Sequence, residues 1–391
     1  MKIGIDKINF FTPPTYVDMA ELAEAREVDP NKYLIGIGQE KMAVASNTYD
    51  IVSMAANAAK EILTEKDKEE IDLILFATET GVDFSKAAAT WLHDLLEIQP
   101  YARSIELKQA CYSGTAGIQL GMGHIALHPK SKVLVLASDI AKYGLNTGGE
   151  PTQGAGAVAM LLSAEPKILT IEKENATYTK DIDDFWRPNY SAVPFVDGKY
   201  SNEAYLGTLE AVWGRYKEQY KAELADFEAM LFHVPYTKMG RKALEALEEE
   251  MDAETNTRFN QYYEDAIAYS KIVGNIYTGS LYLSLISLLE QTERLEAGTR
   301  IALFSYGSGA VGEFFVGEIE AGYEKHLQKK GHEKMLKERK HLDISAYETM
   351  MEKTIDINEA GDAEVELENY TSGDFILSQI KEHKRQYKKA K

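Results

Sequence analysis

Two short stretches, GAGAVA at 154–159 and GSGAVG at 307–312, are nearly the same sequence, and each opens an apolar run at the same point of a larger repeated scheme. ACYSGTAGIQLGMGHIALHPKSKVLVLASD parallels GNIYTGSLYLSLISLLEQTERLEAGTRIALFSYG: small residues, a helix, a polar loop, then an apolar strand. Upstream of each, DLILFATETGVDFSKAAATWLHDL and EAMLFHVPYTKMGRKALEALEE share strand, polar turn and amphipathic helix. Self-similarity on this scale fixes the architecture before any residue is given a role. Residues 71–78, 132–139, 227–234 and 300–307 are short aliphatic or β-branched runs of the kind found in buried parallel strands. Residues 85–96, 117–128 and 280–291 carry helical spacing. Strand and helix alternate, so the fold class is α/β with crossovers, and the repeat predicts two duplicated halves, 1–168 and 169–391.

Two segments fall outside the scheme. An aromatic-rich insert near 175–225, with DIDDFWRPNYSAVPFVDGKYSNEAY at its heart, has the Pro, Gly and Asp content of a loop excursion able to wall a pocket. Beyond about 320 the chain becomes charged, and KHLQKKGHEKMLKERKH reads as a solvated surface helix.

The formal net charge of −19 argues against binding nucleic acid or anionic membranes. An anionic small ligand needs a local basic patch. MKIGIDKINFF lacks the apolar core of a signal peptide, and no run approaches the roughly 18 apolar residues of a membrane span, so a soluble, cytoplasmic protein is expected. With one cysteine, an intramolecular disulfide framework and a Cys-rich metal site are both out of reach, and no metal is expected.

That cysteine, Cys111, opens a helix of the first half, and Asn275 holds the matching place in the second. Glu79 ends the strand LILFATE, and His233 ends MLFHVP at the equivalent point. Ligands of α/β sheets sit beyond the carboxyl ends of strands, so a pseudo-twofold brings all four side chains to one cleft. A helix N-terminus lowers a thiol pKa, and the small residues after Cys111 leave backbone N–H groups for an oxyanion. Burial at a strand end raises the Glu79 carboxyl toward the range of a general base; His233 can polarise a carbonyl, and Asn275 can orient one. Taken singly, each has a plainer reading: a buried thiol, a helix-end carboxylate, a core histidine, a turn asparagine. Their equivalent positions in a repeat favour the chemical one. Lys238, Arg241 and Lys242 share a helix face after His233 and suit a phosphate-bearing ligand, although an ordinary solvated face has the same spacing.

ACYSGTAG, YGLNTGGEPTQGAGAVAM, DFWRP, FHVPYTKMGRKAL, GNIYTGSLYLSLISLLE and FSYGSGAVGEFF together resemble the hydroxymethylglutaryl-CoA synthases, particularly the bacterial form of the mevalonate pathway to isoprenoids, nearly end to end. The resemblance implies the thiolase-like fold, five α-β-α-β-α layers built from two similar halves, usually as a homodimer. It implies that Cys111 takes an acetyl group from acetyl-CoA. Glu79 then removes a methyl proton, the enolate attacks acetoacetyl-CoA, and water frees the product. His233 matches the histidine that binds acetoacetyl-CoA; Asn275 and Ser308 match residues contacting the acyl portion. Tyr143 and Thr152 match the pocket lining, Ser201 and Asp29 further pocket and tunnel positions, and Lys238 and Lys242 would approach the CoA phosphates. No cofactor is implied, the CoA thioesters being substrates. Gln109 stands where Glu commonly precedes the reactive cysteine's Ala, and Thr80 where Ser is frequent.

Three rivals remain in view. A thiolase needs a second cysteine, which this chain lacks. A ketoacyl-ACP synthase works with Cys, His and Asn and needs no carboxylate base, so Glu79 is the discriminating residue. A non-catalytic scaffold on the same fold would take up no acetyl group.

Overall fold

The computed structural model describes residues 1–366 and 372–389. In the first half, strands β1 (Gly4–Phe11), β2 (Ile71–Ala77), β3 (Arg103–Leu107), β4 (Lys132–Ala141) and β5 (Gly154–Ser163) lie in the order β1-β5-β4-β2-β3. In the second, β6 (Leu169–Thr179), β7 (Ala229–Phe232), β8 (Arg300–Gly307) and β9 (Val311–Ile319) lie in the order β6-β9-β8-β7. From its central strand outward each set pairs antiparallel, antiparallel, then parallel. The duplication in the sequence is therefore a duplication of topology. A short ladder, Gly4 with Thr170 and Ile5 with Leu169, joins the two sets into one nine-stranded sheet.

Period-two alternation along the strands sorts the core into layers. Leu73, Leu75, Val133 and Val135 from the first half, and Leu231, Ile301 and Leu303 from the second, face inward onto α3 (Ser113–Leu127) and α7 (Ser280–Gln291). Their alternates Ile74, Phe76, Leu134 and Leu136 face out onto α1 (Ile51–Lys60) and α2 (Ala88–Leu95). On the other side Met230, Phe232, Ala302 and Phe304 face α4 (Gly198–Tyr220) and α5 (Thr237–Ala246). The result is the expected α-β-α-β-α stack, with α3 and α7 as the shared middle layer. Nearly continuous burial of α7 is what that position requires.

Two expectations need correction. The segment read as an irregular insert begins inside the eleven-residue strand β6 and holds the whole 23-residue helix α4. The buried residues of α4, Tyr205, Thr208, Leu209, Val212, Trp213 and Tyr216, recur at helical spacing, a pattern masked by the Pro- and Asp-bearing stretch just before it. Only 180–197 is irregular, carrying the paired dipeptide strands Phe185–Trp186 and Phe195–Val196. The charged tail is not a free surface helix either. In α8 (Lys329–Glu338) the buried His332 faces the Glu290 carboxylate at 2.9 Å and Asn9 Oδ1 at 2.6 Å. Further on, β10 (Phe375–Lys381) and β11 (Lys384–Lys389) form a hairpin fastened to the start of α1. Arg385 and Tyr387 bond Asp50 there at 3.0 and 2.6 Å.

Candidate active site

The near-identical glycine motifs have a shared structural cause. A Cβ on Gly154 would lie 2.5 Å from the Asn275 carbonyl oxygen, and one on Gly307 would lie 2.6 Å from both Gln109 O and Tyr112 N. Each motif glycine thus lets a strand of one half press directly against the loop that presents the reactive residue of the other. The residue before each reactive side chain has a left-handed backbone: Ala110 at φ +42° and Gly274 at φ +90°. For Ala110 that conformation costs energy, and the surrounding packing imposes it.

Where β2 ends, the chain turns through Thr78, Glu79 and Thr80 over the fully buried Asp139 of β4. Asp139 Oδ1 accepts from Thr78 Oγ1 (2.8 Å), Glu79 N (2.9 Å), Thr80 N (3.1 Å) and Thr80 Oγ1 (2.7 Å). Its Oδ2 accepts from Thr278 N (3.1 Å) and Thr278 Oγ1 (2.5 Å), on the Asn275 loop. One carboxylate ties the Glu79 turn to the second half. Arg187, from the 180–197 segment, donates to the Glu79 carbonyl oxygen.

Glu79 Oε1 accepts the Cys111 thiol at 3.1 Å. Burial, reinforced by the charge of Asp139, pushes the Glu79 carboxyl up to about 8. The expectation that the helix N-terminus depresses the Cys111 pKa is overturned. Burial first, then the charge and hydrogen bond of Glu79, hold the thiol well above its ordinary value. Tyr112 N and Ser113 N bond Gln109 O and Ala110 O at 3.1 and 3.3 Å, so these two N–H groups are committed within the turn rather than open to an oxyanion. The thiol therefore keeps its proton, with the Glu79 carboxylate as its hydrogen-bonded neighbour.

Cys111, His233, Asn275 and Ser308 line one cavity of about 780 Å³, and Tyr143, Thr152 and Ser201 complete its wall. Burial drives the His233 imidazole down to about 3, so it is neutral at physiological pH, a hydrogen-bonding group and not a cation. Asn275 Oδ1 accepts from Tyr277 N (2.9 Å) and Ser280 Oγ (3.1 Å), while its buried Nδ2 has no protein partner. A buried donor left open beside a cavity is suited to a ligand carbonyl. Among the described residues, no group of three His, Cys, Asp or Glu is placed to hold a metal.

Two family models divide the chain between them: hydroxymethylglutaryl-coenzyme A synthase N terminal over residues 1–167, and the C-terminal counterpart over 169–248 and 245–390. The hydroxymethylglutaryl-CoA synthase of Enterococcus faecalis is 57% identical over 356 residues, covering 91% of this chain and 93% of that protein. This chain belongs to the hydroxymethylglutaryl-CoA synthase family. A crystal structure of an HMG-CoA synthase complexed with CoA superposes with a TM-score of 0.97 at 45% identity, covering all of both chains. An MvaS protein in complex with 3-hydroxy-3-methylglutaryl coenzyme A gives 0.90 at 35% identity, covering 100% of this chain and 99% of the other.

The remaining positions that the family resemblance suggested are not among the residues that line the cavity. Asp29 is exposed, and its Oδ1 accepts from Asn31 N at 2.9 Å. Lys238 and Lys242 are half-buried on α5, and Lys242 Nζ lies 3.4 Å from the hydroxyl of Tyr236, a cavity residue, which places Lys242 beside the wall. Arg241 does not join them; it turns to Asn260 and Glu264. Both departures from the family pattern have partners. The Thr80 hydroxyl bonds Asp139, as a serine hydroxyl would, and Gln109 Nε2 reaches Ser308 O at 3.4 Å.

Sequence reasoning missed Asp139, Asp184 and Arg187. Buried Asp184 accepts from Tyr306 Oη (2.7 Å), Gly309 N (2.9 Å) and Ser201 Oγ (3.3 Å), fixing the floor under Ser308. The signal was a charged residue at the buried end of an apolar strand or inside DFWRP, where an unpaired carboxylate is untenable.

Proposed function

We propose that this chain condenses acetyl-CoA with acetoacetyl-CoA and water to give HMG-CoA and CoA, a step of the mevalonate pathway to isoprenoids. The contact between Cys111 and Glu79, beside a cavity that also holds His233 and Asn275, carries the reading. Cys111 Sγ attacks the acetyl-CoA thioester carbonyl as its proton passes to Glu79, and CoA leaves as the thiol. Glu79, ionised again, takes a proton from the acetyl methyl. The enolate carbon attacks the ketone carbon of acetoacetyl-CoA, whose oxygen is hydrogen-bonded by neutral His233. The tertiary alkoxide is protonated by Glu79. Asn275 Nδ2 holds a thioester carbonyl, and water then cleaves the bond to Cys111.

Tyr143, Thr152, Ser201 and Ser308 shape the acyl pocket in this reading, while Asp29, Lys238 and Lys242 meet the CoA arm outside it. Sulfur, carboxylate and imidazole suffice, so the reading calls for no cofactor. Among the described residues no helix is long and apolar enough to cross a membrane, which agrees with work in the cytoplasm. Incubation with acetyl-CoA should add one acetyl group by intact mass, and Cys111→Ser should abolish the adduct. An unmodified chain would end the reading.

We also place a second copy of the chain against β3. This edge strand is unpaired on its outer side among the described residues. Ile105 (39% exposed) lies on it, Tyr101 (91%) precedes it, and the neighbouring α3 exposes Leu120 (54%) and Leu127 (79%). An open edge flanked by apolar side chains is a self-association surface in need of cover. Ile105→Lys combined with Leu120→Lys should convert a dimer to a monomer in light scattering; an unchanged mass would move the interface elsewhere.

A further inference from the structure

Asn275 follows a segment that cannot hold its own shape. The helix before it, Ser270–Val273, is four residues long, and Gly274 then turns the chain at φ +90°. One helical turn gains too little to fix itself, and the last carbonyls of any helix lack a partner within it. Three consecutive carbonyls of this one are held from outside. Gln39 Nε2 donates to Ser270 O at 2.7 Å, Glu40 N to Lys271 O at 2.8 Å, and Arg339 Nη1 to Ile272 O at 2.8 Å. The three donors flank the strands of a small sheet outside the nine-stranded one, in which Thr15–Asp18 lies between Lys340–His341 and Lys41–Ala43.

Of the three, Arg339 is the costly one. It is 7% exposed, and among the described residues it forms no ion pair; its guanidinium lies 5.1 Å from the centre of the Tyr16 ring and also donates to Leu336 O at 3.4 Å. Burial lowers its pKa to about 10, so it is still a cation at neutral pH. A buried charge without a counter-ion is expensive, and an apolar side chain of similar volume commonly serves a fold as well. Its short bond goes to the residue three before Asn275. On its other side the Asn275 loop is already fixed: Asn275 N donates to Gln153 O at 3.2 Å, and Oδ1 is taken by Tyr277 N and Ser280 Oγ. Those bonds leave the rear of the loop to the small sheet.

We propose that Arg339 is a positioning residue of the condensation, holding the Ile272 carbonyl so that the open amide of Asn275 points into the acyl cavity. The inference rests on the condensation reading above, because the acyl carbonyl of that reaction is what the amide meets. It also gives the charged run KHLQKKGHEKMLKERKH, which holds Arg339, a part in the chemistry.

The test is a double-mutant cycle on the intact enzyme, read as HMG-CoA formation. Arg339→Met keeps an apolar stem and removes the donor. Its kcat should fall about tenfold with the KM for acetyl-CoA within about twofold, since a misaimed donor forfeits part of what a removed one loses. Asn275→Ala alone should cost about 10²–10³ in kcat. Adding Arg339→Met to it should cost less than about a further twofold, there being no amide left to aim. Gln39→Leu releases the grip on the adjoining Ser270 carbonyl and should repeat the pattern more weakly, so the cycle can be read even if Arg339→Met does not fold. A loss of the same size in both backgrounds, the mark of a merely structural defect, overturns the assignment, and so does an unchanged kcat in the single variants. Failure of the unaltered chain to make HMG-CoA overturns the condensation reading instead, and is seen before any variant is measured.

Discussion

Glu79→Ala takes an acetyl group onto Cys111 and then stops. The carboxylate is the base nearest the sulfur, at 3.1 Å; its loss removes the acceptor of the thiol proton but also two of the causes that hold that proton on, so acyl transfer to sulfur slows and still completes. Enolate formation has no substitute: His233 is neutral and pushed down to about 3, too weak a base for a methyl proton. HMG-CoA formation should fall by about 10²–10⁴, the range for removing a positioned general base. The check is HMG-CoA released per turnover alongside the mass of the acetylated chain. Product at the normal rate would remove Glu79 from the role and reopen the ketoacyl synthase reading.

The pH dependence follows from the same carboxyl. Glu79 must be ionised to act, and burial holds it near 8, so condensation should rise with pH through that region, and Glu79→Gln should lose the rise. Stability runs the opposite way. The folded pKa lies above the ordinary 4.5, so the favourable contribution of the protonated group is complete below about 4.5 and lost as pH climbs through about 8. Glu79→Gln should therefore gain melting temperature over the unaltered chain at pH 9 and lose that gain at pH 5.

Asp139→Ala should be among the most damaging single changes in the protein. Six donors converge on that carboxylate, from Thr78, Glu79, Thr80 and Thr278, in a place water does not reach. Each buried donor left unpaired costs about 1–3 kcal/mol, partly recovered by relaxation, so a net loss of at least about 3 kcal/mol is expected in denaturant unfolding. Activity should drop further than stability explains, by about 10² or more, because the turn that aims Glu79 loses its anchor. Asp139→Asn keeps the volume yet turns an amide donor toward other donors, so it should rescue little. A variant within about 1 kcal/mol of the parent at full activity would show that the turn holds itself.

What could be read in the chain, and what could not, divides on a physical line. The repeat, most of its strands and the convergence of Glu79, Cys111, His233 and Asn275 were legible because each depends on local composition and on equivalence between halves. Strand β6 was not. LTIEKENATYT carries three consecutive charges, Glu172, Lys173 and Glu174, in a strand that buries only Leu169, Ile171 and Ala176, and the charges read as loop. The direction of the Cys111 shift was also misjudged: a dipole argument sees the helix but not a carboxylate from another strand, brought within 3.1 Å by the fold. Arg241 sat on the predicted basic face, but its partners Asn260 and Glu264 come from the following helix, which no spacing rule reveals. The twin glycines were noticed as a repeat, while their purpose, contact between opposite halves, exists only in three dimensions.

That crossed contact bears on how the enzyme is assembled. The sulfur and its base belong to one half, the imidazole and the open amide to the other, and each strand-leading glycine braces the loop of its counterpart. Neither half can be competent before the two have docked. In a refolding experiment, helical and sheet signals would return ahead of turnover, and the interval between them would time the closing of the seam.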